Sequence, residues 1–360
     1  MWPDRRILDL FRIDLPIIQA PMAGPCFADM AIAVAEAGGL GSLPTASMTA
    51  DQVRAELQLI RRASRKPVNL NFFCHAAPAT DPAREATWRT RLEPYYRELG
   101  VDPAAPIPAV NRAPFDEALC QLVEHEKPEI VSFHFGLPEP ALVARVHATG
   151  AVIISSATTV DEAIWLEAHG CDAIIAQGAE AGGHRGIFLG GDPLIEAATQ
   201  AGTMALVPQV VDAVKLPVIA AGGIADARGI VAAFALGAAA VQIGTAYLFC
   251  PEARVTAPHR AALRHAKDNA TALTNLFTGR PARGLVNRTM RELGPISADA
   301  PAFPLAGNAL AALKAKAEAQ GSGDFGSLWS GQAARLGREL PAGELTRALA
   351  AEALARLAPR

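Results

Sequence analysis

Little in the 360-residue chain points to a secreted, metal-bound or nucleic-acid-binding protein. The five cysteines, Cys26, Cys74, Cys120, Cys171 and Cys250, are odd in number, widely spaced and form no CxxC pair. That pattern argues against a disulfide framework and a zinc site, and fits reduced core or near-site thiols in a cytoplasmic protein. Net charge is only -3, so there is no basic footprint for nucleic acid. The N-terminus, MWPDRRILDLFRIDLPIIQ, breaks its apolar residues with charges and has no secretory h-region. Aromatics make up only 6% of the chain, and no GxGxxG follows the first apolar run, where a dinucleotide-binding unit would carry it.

What is abundant is Ala, Val, Leu and Ile, which dominate a hydrophobic fraction of 51%. One uncharged run of 22 residues, 229–250, is long enough to span a bilayer. It is rich in Ala and Gly and breaks near Gly237 into a helix-like and a strand-like half, which reads as buried α/β core. No membrane partner is expected.

Short Val/Ile/Leu runs alternate with alanine-rich segments of helical period, the pattern of βα units on a parallel sheet. Strands are expected at 17–20, 39–43, 68–72, 130–133, 152–155, 173–176, 218–221 and 240–243. Helices are expected at 28–37, 50–63, 115–126, 139–149, 159–169 and 225–236, with N-caps at Thr49 and Thr158 and glycine stops at Gly38, Gly150, Gly170 and Gly237. Eight such units close most simply into a (β/α)8 TIM barrel; a doubly wound open sheet is the runner-up. Residues 1–253 are read as the barrel. An insertion at about 75–112 and the region 254–360 exceed its needs and are read as a cap or substrate subdomain, with 344–357 as a closing helix.

Active sites of such barrels lie at the C-terminal ends of the strands. Small and polar residues gather there. Gly222 and Gly223 follow the seventh strand and Gly244 and Thr245 the eighth, where bare backbone N–H groups and a hydroxyl can hold a phosphate. The amides of Asn71, Gln177 and Gln242 suit the alternating donors and acceptors of a heterocycle, or else satisfy buried backbone groups. The 20–23 turn, with Pro21 and Met22, offers a wall. One phosphate, amide partners and no acidic residue for a nicotinamide ribose point to FMN. No metal is expected.

The segments PIIQAPMAG (16–24), NLNFFCH (69–75), SFHFGLP (132–138), QGAEAGGHRG (177–186), PVIAAGGIAD (217–226), QIGTAYLFCPE (242–252) and SLWSGQ (327–332) together resemble the nitronate monooxygenases, class I. The resemblance implies an FMN-dependent enzyme that oxidises alkyl nitronates, propionate 3-nitronate among them, with O2 to a carbonyl compound and nitrite through a one-electron-reduced flavin. It places cofactor contacts on Met22, Asn71, Gln177, Gly182, Gly223 and the run Gln242, Ile243, Gly244, Thr245, and the catalytic histidine on His184. Protonated, His184 can donate to the nitro oxygens; neutral, it can take a proton from the α-carbon of a nitroalkane. Arg185 is expected to brace the loop or add positive potential. His134 is either a second wall of the substrate pocket or a hydrogen-bonded core histidine. Two rivals stand beside this reading, an FMN-dependent NAD(P)H enoyl reductase on the same barrel and a flavin-binding protein without turnover. Monomer and homodimer are both open.

Overall fold

A computed structural model describes residues 1–79, 81–104 and 112–358. Eight parallel strands form the barrel: β1 (Ile17–Gln19), β2 (Gly41–Pro44), β3 (Val68–Phe73), β4 (Ile130–His134), β5 (Val152–Ala157), β6 (Ala173–Gln177), β8 (Val218–Ala221) and β9 (Ala240–Ile243). They are ordered β1-β9-β8-β6-β5-β4-β3-β2. The seam between β1 and β2 is closed by Leu40, whose N–H donates to Ile17 O at 2.9 Å while its carbonyl accepts from Gln19 N–H at 3.0 Å. The expected (β/α)8 architecture is the one observed. Burial on both faces explains why the strands are near-continuous apolar runs and not alternating ones.

Helix ends follow local chemistry. Thr49 caps Ala50–Ala63 through a full capping box with Gln52. Gly38, Gly150, Gly170 and Gly237 all have φ between +87° and +102°, as left-handed helix stops require. One expected cap is corrected: Thr159, not Thr158, caps Val160–Ala168. Thr158 lies one residue earlier and donates through its backbone N–H and hydroxyl to Glu162 Oε2, both at 2.6 Å. Glu162 Oε1 in turn accepts from Phe188 N at 2.7 Å, tying this helix to the loop after β6.

The uncharged 229–250 run divides as expected into part of the helix Ala227–Ala235, the strand β9 and a 3-10 turn at Thr245–Phe249. Among the described residues no helix is long and apolar enough to cross a membrane.

Outside the barrel the insertion carries a helix, Pro82–Glu98, which packs on Ala306–Ala319. Trp88, Leu92 and Tyr96 meet Leu310, Leu313 and Phe325 in a hydrophobic cluster separate from the barrel core. Trp88 Nε1 donates to Ala306 O at 3.0 Å. Thr80 and 105–111 of the insertion lie outside the described residues. The helix Ala342–Leu357 packs on Ala28–Glu36 and Ala227–Ala235. A feature invisible to periodicity is a small antiparallel sheet in which the two-residue strand β7 (Gly183–His184) pairs with β11 (Ala282–Leu285), itself paired with β10 (Thr271–Thr274). Two glycine-flanked residues show no strand pattern, and their partner lies about a hundred residues along the chain.

Candidate active site

A cavity of about 460 Å³ opens at the C-terminal ends of the barrel strands, within the range of small-molecule sites. Strand register explains which residues reach it. Asn71 is level with Ser132, and Gln177, Ala221 and Gln242 are level with one another across β6, β8 and β9. Residues from 21 to 171 positions apart in the chain therefore share one rim.

Met22, Asn71, His134, Gln177, Gly182, His184, Gly222, Gly223, Gln242, Gly244 and Thr245 all line the cavity. Ile243 does not: its side chain is fully buried in the barrel wall, and its carbonyl accepts from Ala20 N–H at 2.8 Å. Alternation along a strand puts it on the opposite face from Gln242.

At one end of the cavity the loops after β8 and β9 expose glycine backbone. Gly222 and Gly223 have φ of +112° and +70°. Gly244 needs no such freedom, and a Cβ built there would meet Ala20 Cβ at 3.5 Å and Met22 Sδ at 3.6 Å. Thr245 Oγ1 accepts from Gly331 N–H at 2.8 Å, which leaves the hydroxyl hydrogen for a ligand. Gly182 has a packing role: a Cβ there would stand 2.4 Å from Gly331 N. The SLWSGQ segment is thus seated against this loop, and Gln332 N–H also bonds Glu180 O at 3.0 Å.

The three amides have different fates. Gln242 Oε1 is buried and has no partner among the described residues. Asn71 Nδ2 donates to Ser132 Oγ at 3.0 Å, and no partner for its Oδ1 is found among the described residues. Gln177 is engaged at both ends, donating from Nε2 to His184 O at 3.0 Å and accepting at Oε1 from Gly186 N–H at 2.8 Å. Its amide therefore holds the histidine loop, with one N–H of Nε2 left over at the cavity it lines.

His184 sits where β7 crosses the barrel mouth. Its carbonyl accepts from Gln177 Nε2 and from His134 Nε2, the latter at 3.2 Å, and its ring Nε2 lies 3.0 Å from Thr278 Oγ1. His134 Nδ1 faces Ser156 Oγ at 3.1 Å. Both nitrogens of His134 are thus engaged, and it positions His184 from beneath. Burial pushes the His134 pKa down to about 3, with Arg280 adding to it. His184 is likewise held well below the usual histidine range, by burial first and then by coulombic repulsion from Arg112, His134, Arg280 and His75, the two histidines counting only when protonated in acid. Both imidazoles are neutral at neutral pH.

Arg185 is fully buried and donates to Gly178 O and Gln177 O, each at 2.7 Å, and to Gln200 Oε1 at 2.5 Å. It braces the loop and does not face the cavity. The cations near His184 are instead Arg112, on the cavity wall, and Arg280, whose guanidinium stacks 4.2 Å from the Phe135 ring centroid. Phe303 and Trp329 approach the His184 ring at centroid distances of 5.3 and 5.5 Å. Thr278, Arg280, Arg112 and Phe303 were missed by the sequence reading. They carry no motif and reach His184 only through tertiary packing. Among the described residues no group of three or more His, Cys, Asp or Glu is placed to hold a metal ion.

Comparison with known proteins agrees with the barrel fold. The profile of the family described as "Nitronate monooxygenase" matches residues 4–352. The nitronate monooxygenase of Pseudomonas aeruginosa is 44% identical over 351 residues, covering 96% of this chain and 98% of that protein. Among solved structures, the nitroalkane oxidase of Streptomyces ansochromogenes superposes with a TM-score of 0.88 at 37% identity, covering 97% of this chain and 98% of that one. FabK of Thermotoga maritima follows at TM-score 0.72 and 28% identity, covering 99% and 98%.

Proposed function

From the premise that the chain belongs to the nitronate monooxygenase family, and is an oxidoreductase, we propose that it oxidises alkyl nitronates with O2 to a carbonyl compound and nitrite, using FMN held in the barrel mouth. The observation that carries the cofactor is a combination: a buried Gln242 Oε1 with no partner among the described residues, beside a glycine-built corner at Gly222, Gly223 and Gly244. A buried orphan acceptor is costly unless a ligand satisfies it. The donor set fits FMN. Backbone N–H groups of Gly222, Gly223 and Gly244 and the Thr245 hydroxyl would take the phosphate, Gln242 and Asn71 the ring edge, and Met22 its face. When bound, FMN would supply the electron-acceptor chemistry that links the nitronate to O2.

The chain's own work is to bind an anion and move a proton. Arg112 and Arg280 give the cavity positive potential near His184, which supports a negatively charged substrate and is compatible with propionate 3-nitronate. Neutral His184 serves as base toward a neutral nitroalkane: the α-C–H bond breaks, its electron pair passes into the nitro group, and the proton goes to the imidazole. A nitronate needs no such step. Phe135, Phe303 and Trp329 keep water from the ring. We ascribe the roof of this chamber to the 75–112 insertion and the 254–340 segment; the Trp88 cluster that joins their helices supports that division. The five free cysteines support a cytoplasmic setting.

The test is His184→Asn, assayed with nitronate freshly prepared in base and with nitroalkane at neutral pH. Asparagine donates but is no base. Nitronate turnover should largely survive and nitroalkane turnover should disappear; no loss on either substrate would remove His184 from the chemistry.

A further inference from the structure

Thr278 lies in the hairpin connection between β10 and β11, outside the barrel, and is buried. Its hydroxyl oxygen is 3.0 Å from His184 Nε2 and 3.4 Å from the carbonyl oxygen of Arg280. It has one proton to give and two neighbours that could take it. If it gives the proton to Nε2, the Arg280 carbonyl loses its side-chain donor. If it gives the proton to Arg280 O, then Nε2 must carry a hydrogen and donate it to Thr278 Oγ1. Only the second direction satisfies all three groups, in one chain from imidazole N–H through hydroxyl to carbonyl.

We infer that Thr278 is a positioning residue that fixes His184 as the Nε2–H tautomer and turns an unprotonated Nδ1 toward the cavity. The inference rests on the reading of His184 as the base, and adds which nitrogen does the work. Among the described residues every other hydrogen bond of His184 is made by its backbone: the carbonyl is held by Gln177 and His134, and β7 pairs with β11, while the ring otherwise touches only other rings, those of Phe73, Phe135, Phe303 and Trp329. The aromatic packing confines the ring, and among the described residues Thr278 is the one polar partner that can choose which nitrogen carries its proton. The same hairpin brings Arg280 to the ring, so one segment controls both the charge around the imidazole and its tautomer. In the proton transfer, the new N–H bond forms at Nδ1 while Nε2–H stays bonded to Thr278, which stabilises the imidazolium as it forms. A base presented by Nδ1 is ready without a ring flip.

The experiment uses the holoprotein labelled with 15N-histidine, with His184 assigned by its loss in His184→Asn. Two-bond 1H–15N spectra at neutral pH should show Nδ1 of His184 as an unprotonated nitrogen and Nε2 as a protonated one. Thr278→Val should lose that single tautomer, and Thr278→Ser should keep it. Turnover should follow: kcat/KM for a neutral nitroalkane should fall by roughly tenfold in Thr278→Val, the worth of one oriented hydrogen bond, with nitronate turnover within about twofold of the parent, and Ser should restore both. A protonated Nδ1 in the parent, an unchanged tautomer in Thr278→Val, or equal losses on both substrate forms would overturn the inference. Failure of the base reading would show separately, as nitroalkane turnover surviving in His184→Asn. The parent spectrum alone decides the tautomer even if the valine variant does not fold.

Discussion

Replacing Gly244 with valine isolates the phosphate corner better than any other change there. Gly222 and Gly223 have positive φ, so any side chain at either is strained whether or not a ligand binds nearby. Gly244 has φ -107°, and its missing Cβ would make only ordinary contacts with Ala20 and Met22. Alanine therefore fits, and the fold should tolerate it with little change in stability, or a gain of about 0.4–1 kcal/mol from a less flexible unfolded chain. Valine adds methyl groups between a phosphate and two of its proposed donors, the Gly244 N–H and the Thr245 hydroxyl. Each hydrogen bond to a charged group contributes about 1.5–3 kcal/mol, so losing two costs about 3–6 kcal/mol. That is a roughly 10²- to 10⁴-fold weaker Kd for FMN. The assay is flavin occupancy on purification, then FMN titration of the apoprotein by fluorescence quenching, with circular dichroism to show that each variant is folded. Gly244→Val that is folded and binds FMN as tightly as the parent would refute the placement of the phosphate.

Other perturbations read other parts of the site. His184 is held well below the usual histidine range, so nitroalkane turnover by the neutral base should be level through neutral pH and fall only in acid, as protonation removes the base. Arg280→Gln removes one of the charges facing it, alongside Arg112, His134 and His75, and should raise the His184 pKa; the acid limb of kcat/KM should then move to higher pH, and an unmoved limb would contradict the electrostatic argument. Trp88→Ala should cost about 3–5 kcal/mol locally, from the cavity and the lost Nε1 bond to Ala306. Hydrogen exchange should speed up in Pro82–Glu98 and Ala306–Ala319 and not in the barrel strands; a uniform increase would mean that cap and barrel unfold as one.

The barrel was legible because a buried parallel strand is a run of Val, Ile, Leu and Ala bounded by glycine or proline, and Ala173–Gln177 and Val218–Ala221 fit that description closely. The rim was legible for a related reason: in a barrel of known direction, the residue after each strand is at the mouth. Thr158 and Thr159 show the limit of local chemistry, since adjacent threonines offer equal caps and only the register of Glu162 decides between them. Gln177 shows another, because its place at a strand end was readable but the destination of its amide was not. The environment of His184 was least legible. Thr278, Arg280, Phe303 and Arg112 are brought to it by the β7–β11 pairing and by loop packing, and nothing in their spacing announces the meeting.

The reading as a nitronate-oxidising flavoenzyme is tested most directly by the electron donor. The purified holoprotein is mixed anaerobically with ethyl nitronate and, separately, with NADPH, and the flavin absorbance is followed in each. The cavity described here, with an anion-attracting His184 surround and no nicotinamide fingerprint, predicts prompt bleaching by the nitronate and slow bleaching, or none, by NADPH. Prompt reduction by NADPH with no response to the nitronate would contradict it and favour the enoyl reductase.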